Sequence, residues 1–173
     1  MSIKYFGYDQ IKIVLFYITH EKEPEKYLIP VDGKKKSDIK DEFNVVSANG
    51  RKHEGTDIFA PKGTPIRACV NSIITTAIPE EIITIGGNYI WALGEGRIIY
   101  LYSHLSRFEP GAKRGKLVRQ GEIIGYVGNT GNAKGTSPHL HFGMYKARLN
   151  SFFFFSRTAI NPFNFLVKPL AKK

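Results

Sequence analysis

From residue 60 onward the chain alternates short apolar runs with clusters of glycine, proline and asparagine. Punctuation at such close intervals leaves no room for helices and predicts an all-β fold. The runs place strands over residues 65–77, 82–85, 89–93, 97–103, 122–127 and 139–145. Gly94-Glu95-Gly96 separates two β-rich runs with residues that tolerate positive φ, a hairpin signal. The stretch 128–138, GNTGNAKGTSP, cannot be helical; it reads as a loop that delivers the chain into the strand starting at His139 and lines a groove. Nearer the start, IKIVLFYI (11–18) reads as a buried strand, and SFFFFS (151–156) as either a doubly buried strand or an exposed aromatic loop. The mixed-charge segment DGKKKSDIKDE before Phe43 reads as a solvated connector. There is no internal repeat. The expected organisation is therefore an N-terminal extension, residues 1–42, followed by one domain, residues 43–173, of mostly antiparallel sheets forming a groove.

Length and composition narrow the function classes. A chain of 173 residues, 42% hydrophobic, buries enough surface for one core. The formal charge of +10 favours anionic surroundings such as nucleic acid, lipid or wall polymer. No RNP-like stretch, zinc-finger spacing or basic helix is present, so no specific nucleic-acid partner is expected. The single cysteine, Cys69, lies in the apolar run IRACVNSII and reads as a buried, inert thiol. The run 11–18 is far below the roughly 20 apolar residues of a membrane span, so no transmembrane segment is expected. Lys4 and that run lack a following small-residue cleavage site, which leaves no clear export signal.

The candidate chemistry lies in the histidines. His20 stands alone and reads as structural, whereas His53, His104, His139 and His141 fall in segments of loop-and-strand character. Side chains at i and i+2 of a strand share a face, so His139 and His141 stand side by side with Leu140 turned away. His53 and Asp57 are four apart in KHEGTDIFAPKGTPI, one letter from a helical His-Glu-x-x-His signature. Gly55, Thr56, Ile58, Pro61 and Gly63 oppose a helix, so these two are expected to flank a turn, with Glu54 facing solvent. His53, Asp57 and one histidine of the pair make two imidazoles and a carboxylate, a set that leaves Zn²⁺ a fourth position for water. Calcium and magnesium prefer oxygen donors, and a structural zinc site would need more cysteine.

At these residues the sequence resembles the lysostaphin/LytM-type zinc endopeptidases, which cut peptide bridges of peptidoglycan. The resemblance rests on HEGTDIFAPKGTPI, YLYSHLS and GNTGNAKGTSPHLHF in that order, with GKLVRQGEIIGYVG between the last two and INPFNFL (160–166) as a closing segment. It covers residues from about Phe43 to Leu166. It implies that His53, Asp57 and His141 bind zinc and that His104 and His139 are the non-ligand catalytic histidines, one activating water and the other stabilising the oxyanion. It further implies a peptidoglycan peptide substrate and a place in the cell envelope, periplasmic or extracellular; the chain is read as a monomer. A non-catalytic zinc-binding or regulatory module, docking a wall amidase or the wall, is the alternative. The family often has an acidic residue after His-x-His-Phe, where this chain has Gly143. The phenylalanines 152–155 lie in an extension before the closing Asn-Pro segment to which the resemblance assigns no role; packing in the core and contact with a partner are the two readings.

Overall fold

The computed structural model describes residues 7–47, 50–79, 85–150 and 155–167. Among these residues ten strands form two antiparallel sheets. The larger has the order β1 (Thr56–Phe59), β9 (His139–Leu149), β5 (Ile98–Leu105), β4 (Asn88–Gly94), β3 (Ser72–Ile78) and β7 (Leu117–Val118), with β10 (Phe155–Ile160) also paired to β9. The smaller joins β2 (Pro65–Arg67), β8 (Ile123–Tyr126) and β6 (Arg107–Phe108). This is the expected all-β class.

The period of two along β9 positions everything functional. Leu140, Phe142 and Met144 are fully buried in the main core, joined by Ile58, Tyr100, Tyr102, Ile90 and, from the smaller sheet, Ile66 and Ile124. His139, His141, Gly143 and Tyr145 therefore share the opposite face. Burial drives this alternation: a one-residue slip would expose three large apolar side chains and bury two imidazoles. Val31 and Ile39, from the N-terminal segment, lie in the same main core.

Two sequence expectations are corrected. The run IKIVLFYI is a helix, α1 (Tyr8–Thr19), not a strand. Its apolar residues occupy nearly every position, so the run carries no period; the twelve uninterrupted residues after Gly7 give it helical length. Ile13 and Phe16, three apart, bury one helix face against Ile73, Leu93, Ile99, Tyr145 and Ala147, and that packing overrides the β-preference of Ile and Val. The single strand expected over 65–77 is two, β2 and β3, in different sheets. Between them Ala68, Cys69 and Val70 make a fully buried bend. The Cys69 N–H donates to the Tyr102 hydroxyl at 3.0 Å, and its carbonyl accepts from Leu28 N–H and Gln120 Nε2. Distant partners thus satisfy a corner that looks apolar throughout. Burial pushes the Cys69 thiol well up, in keeping with an inert side chain.

The hairpin at Gly94-Glu95-Gly96 forms as expected, with Gly96 at φ 75°. His20 stacks on Phe16 at 3.8 Å between ring centres, a structural contact at the end of α1. Of the strand expected at 82–85, residues 82–84 lie outside the described residues and Ile85 is in a turn; 151–154 of SFFFFS likewise lie outside them, and Phe155 opens β10. No helix among the described residues is long and apolar enough to cross a membrane.

Candidate metal centre

Strand register brings the candidate residues together. In the β1–β9 pair Asp57 lies opposite His141 and Phe59 opposite His139, so all four share the face away from the core. His53 joins them through a bend at Gly55, with no helix between His53 and Asp57, and Glu54 is exposed as expected. The glycine is required here by space. A Cβ at Gly55 would stand 2.6 Å from the Phe142 carbonyl oxygen and 2.7 Å from His141 Cε1.

His53 Nε2 lies 3.1 Å from Asp57 Oδ1 and 2.9 Å from His141 Nδ1, and His141 Nδ1 lies 3.0 Å from the same Asp57 oxygen. His53 Nδ1 is 3.2 Å from the Glu42 carbonyl, which can only accept, so the neutral ring carries its proton there and turns a bare Nε2 lone pair into the cluster. At most one proton, on His141 Nδ1, is available among these atoms of the neutral cluster, and it cannot serve both His53 Nε2 and Asp57 Oδ1 well. A cation can. Ligands of a tetrahedral zinc, each about 2.0–2.1 Å from the metal, stand roughly 3.3 Å apart, close to the spacing here. Two nitrogens and one oxygen are also the donor set zinc takes readily and calcium or magnesium does not. His53, Asp57 and His141 are the candidate metal-holding group among the described residues.

Electrostatics follow from the same contacts. Burial by itself would push the Asp57 carboxyl up, but hydrogen bonding with His141 and with the protonated form of His53 outweighs it and holds the group well below the usual carboxylate range. The hydrogen bond to Asp57 raises His53, against burial. Burial, reinforced by the neighbouring His141 and His139, pulls His104 down to about 4.

His104 and His139 border this group. Their rings are 5.1 Å apart, His104 is 6.0 Å from the His141 ring, and His139 Nε2 is 3.9 Å from Asp57 Oδ2. A bulge aims His104. Between the pairs Asn88–Leu105 and Ile90–Tyr102, Ser103 and His104 together oppose Tyr89, and His104 adopts φ 66°, a left-handed conformation uncommon for a residue with Cβ. Both rings are fixed alike by one loop. His104 Nδ1–H donates to the Thr130 carbonyl and His139 Nδ1–H to the Ser137 carbonyl, each at 2.9 Å, so each ring keeps a bare Nε2. The loop is in turn pinned to residues 85–88: Asn132 N–H donates to the Ile85 carbonyl and the Asn88 N–H to Thr130 Oγ1. A Cβ at Gly87 or Gly131 would fall within 2.4 Å of the other segment.

Sequence reasoning had the loop as a groove liner but not the carbonyls of Glu42, Thr130 and Ser137, because main-chain acceptors carry no residue-type signal. It also missed the bulge. Nothing in YLYSHLS distinguishes a bulged from a regular strand.

A fold and site of this kind define a metallopeptidase-like domain, and comparison with known proteins agrees. The family model Peptidase family M23 matches residues 51–162. The chain belongs to peptidase family M23. Among curated relatives it is 37% identical over 101 residues to the L-Ala–D-Glu endopeptidase of Bacillus subtilis, covering 56% of this chain, and 40% identical over 119 residues to the glycyl-glycine endopeptidase ALE-1 of Staphylococcus capitis, covering 68%. It spans about 30% of the length of either. The solved catalytic domain of the antimicrobial peptidase lysostaphin from Staphylococcus simulans superposes with a TM-score of 0.57 at 29% identity, over 82% of this chain and 92% of that one.

Proposed function

We propose that this chain is a zinc-dependent endopeptidase acting on peptide stems or cross-links of bacterial peptidoglycan in the cell envelope, its catalytic unit running from residue 43 to 173 with residues 1–42 as an N-terminal extension. The observation that carries this reading is the convergence of three donor atoms, His53 Nε2, Asp57 Oδ1 and His141 Nδ1, within 3.1 Å of one another beside two further imidazoles. Those three would hold Zn²⁺, which when bound supplies a Lewis acid for the peptide carbonyl and lowers the pKa of water towards about 7. His104 and His139 do the rest. Each keeps a bare Nε2 on a ring that borders the metal-holding residues, so one accepts the proton of attacking water. The other, once protonated, donates to the oxygen on which negative charge develops. His104, held at about 4, is neutral at physiological pH. The Thr130 and Ser137 carbonyls keep both tautomers fixed throughout. Membership of the M23 family and the endopeptidase names of both relatives support the same chemistry. The net charge of +10 favours retention on an anionic wall.

The test is digestion of purified peptidoglycan and defined muropeptides with the zinc-loaded protein, with and without a chelator, followed by mass spectrometry. New amine termini that vanish with chelator and in His104→Ala and His139→Ala, while both variants retain zinc, are the expected result. Intact muropeptides with fully loaded protein would contradict the reading and favour a non-catalytic module.

A further inference from the structure

The family's relatives are named for different bonds, so membership does not choose the substrate; the sheet face beside the metal-holding residues carries an independent clue. Same-face rows cross the large sheet from strand to strand. Ser103 and His141 form one row, and Trp91, Leu101 and Gly143 form the next, about 7 Å away along the strands. Gly143 leaves this row open. The Tyr145 ring folds back into the space, with its hydroxyl 3.2 Å from where a Cβ at 143 would be and 3.5 Å from the Glu54 carbonyl it donates to. Trp91 meets Tyr145 edge-on at 5.2 Å.

Across this aromatic floor lies Arg157, from β10. Its guanidinium carbon stands 4.4 Å from the centre of the Trp91 ring and 5.9 Å from that of Tyr145. Stacking of this kind holds the fork flat and leaves its edge N–H donors free. Arg157 is exposed, and among the described residues no carboxylate stands within ion-pairing distance of it. Beyond it, α1 buries Ile13 and Phe16 against Tyr145 and Ala147, which closes this end of the face. A pre-oriented guanidinium with no acidic partner among the described residues, stacked on the row next to the metal-holding one, is suited to meet a carboxylate.

We propose that Arg157, seated on Trp91 and Tyr145, binds a free carboxylate of the substrate, so that this chain selects peptides bearing a carboxylate near the scissile bond, as stem peptides do, over a run of glycines, which offers none inside the chain. This deepens the hydrolase reading above and rests on it.

Trp91 is the only tryptophan, so its fluorescence reports this subsite directly. The test uses the zinc-loaded full chain with two cross-linked stem peptides that differ only in having every free carboxylate amidated in one. The carboxylate form is expected to be cut with at least tenfold higher kcat/KM and to perturb Trp91 emission, an effect that weakens with salt. Arg157→Gln brings the ratio of the two substrates to within twofold and removes the emission change, and Arg157→Lys, which keeps the charge without the flat fork, falls between. Equal cleavage of both peptides by the unsubstituted protein, or a ratio that survives Arg157→Gln, would overturn the subsite while leaving the hydrolase intact. No cleavage of either peptide, with a carboxylate-dependent Trp91 response lost in Arg157→Gln, would sink the hydrolase and uphold the subsite. No cleavage and no response would overturn the subsite.

Discussion

Substituting Gly55 by alanine isolates the packing that shapes the candidate metal centre. The φ of Gly55 lies outside the left-handed range, so alanine meets no backbone penalty there; the effect is purely steric. The new Cβ would stand 2.6 Å from the Phe142 oxygen, 2.7 Å from His141 Cε1 and 2.9 Å from His141 Nε2. Comfortable carbon contacts run at about 3.5–4.0 Å, so each overlap approaches 1 Å. Phe142 cannot yield: it is fully buried, and its main chain is paired to Thr56 on one side and Tyr102 on the other. The main chain at residue 55, which carries His53 into the site, and the His141 ring must therefore move, by more than the roughly 0.2 Å a metal site tolerates in its ligand distances. Overpacking of this size costs about 1–3 kcal/mol, which corresponds to a roughly fivefold to 150-fold loss of zinc affinity if it falls on the site. Competition against a chromogenic chelator reads that loss, and thermal unfolding of the metal-free protein reads any part absorbed by the fold, at about 2–4 °C per kcal/mol. A Gly55→Ala protein with zinc affinity within twofold of the parent and an unchanged Tm would refute the steric account.

Acid stability of the metal-free protein should depend on His104. With its folded pKa near 4 against an ordinary 6.5, the folded state binds fewer protons than the unfolded state between those values. Stability is thus present above about 6.5 and lost as pH falls towards 4. Urea denaturation with chelator present should show roughly 2 kcal/mol less pH 7 to pH 4.5 loss in His104→Asn than in the parent; equal losses would contradict this. Gly131→Ala, at a residue of φ 66° whose Cβ would collide with Gly87 and Ile85, should loosen the loop that fixes the His104 and His139 tautomers. It is expected to lower kcat at least tenfold on muropeptides with zinc affinity within threefold, as measured by turnover and chelator competition. Phe16→Ala, which empties a site between α1 and the sheet, should destabilise the protein by about 3 kcal/mol in urea denaturation. Asp57→Asn, which removes the carboxylate charge, should abolish the rise in Tm produced by added zinc.

The sequence made the β class, the shared face of His139 and His141 and the non-helical His53–Asp57 turn legible, because each depends on local rules: turn residues, period two and helix breakers. Which of the paired histidines faces Asp57 follows from the β1–β9 register, a long-range fact, and only the family resemblance pointed to His141. The helix at 8–19 was illegible for a different reason: an apolar run without polar interruption has no period, and its length was masked by β-branched residues. The corner at 68–71 was hidden because every residue in it but Asn71 is buried, its backbone satisfied by Leu28, Tyr102 and Gln120 from far along the chain. The left-handed His104 lies beyond propensity altogether, since it is imposed by the mismatch between β4 and β5.

The most direct test of the metal assignment is zinc K-edge X-ray absorption of the protein loaded with one equivalent of zinc. The account predicts four nitrogen or oxygen neighbours at about 2.0–2.1 Å, two of them imidazoles, with one imidazole's signature lost in His141→Ala. A sulfur neighbour, three or four imidazoles, or a spectrum indifferent to His141 would contradict it.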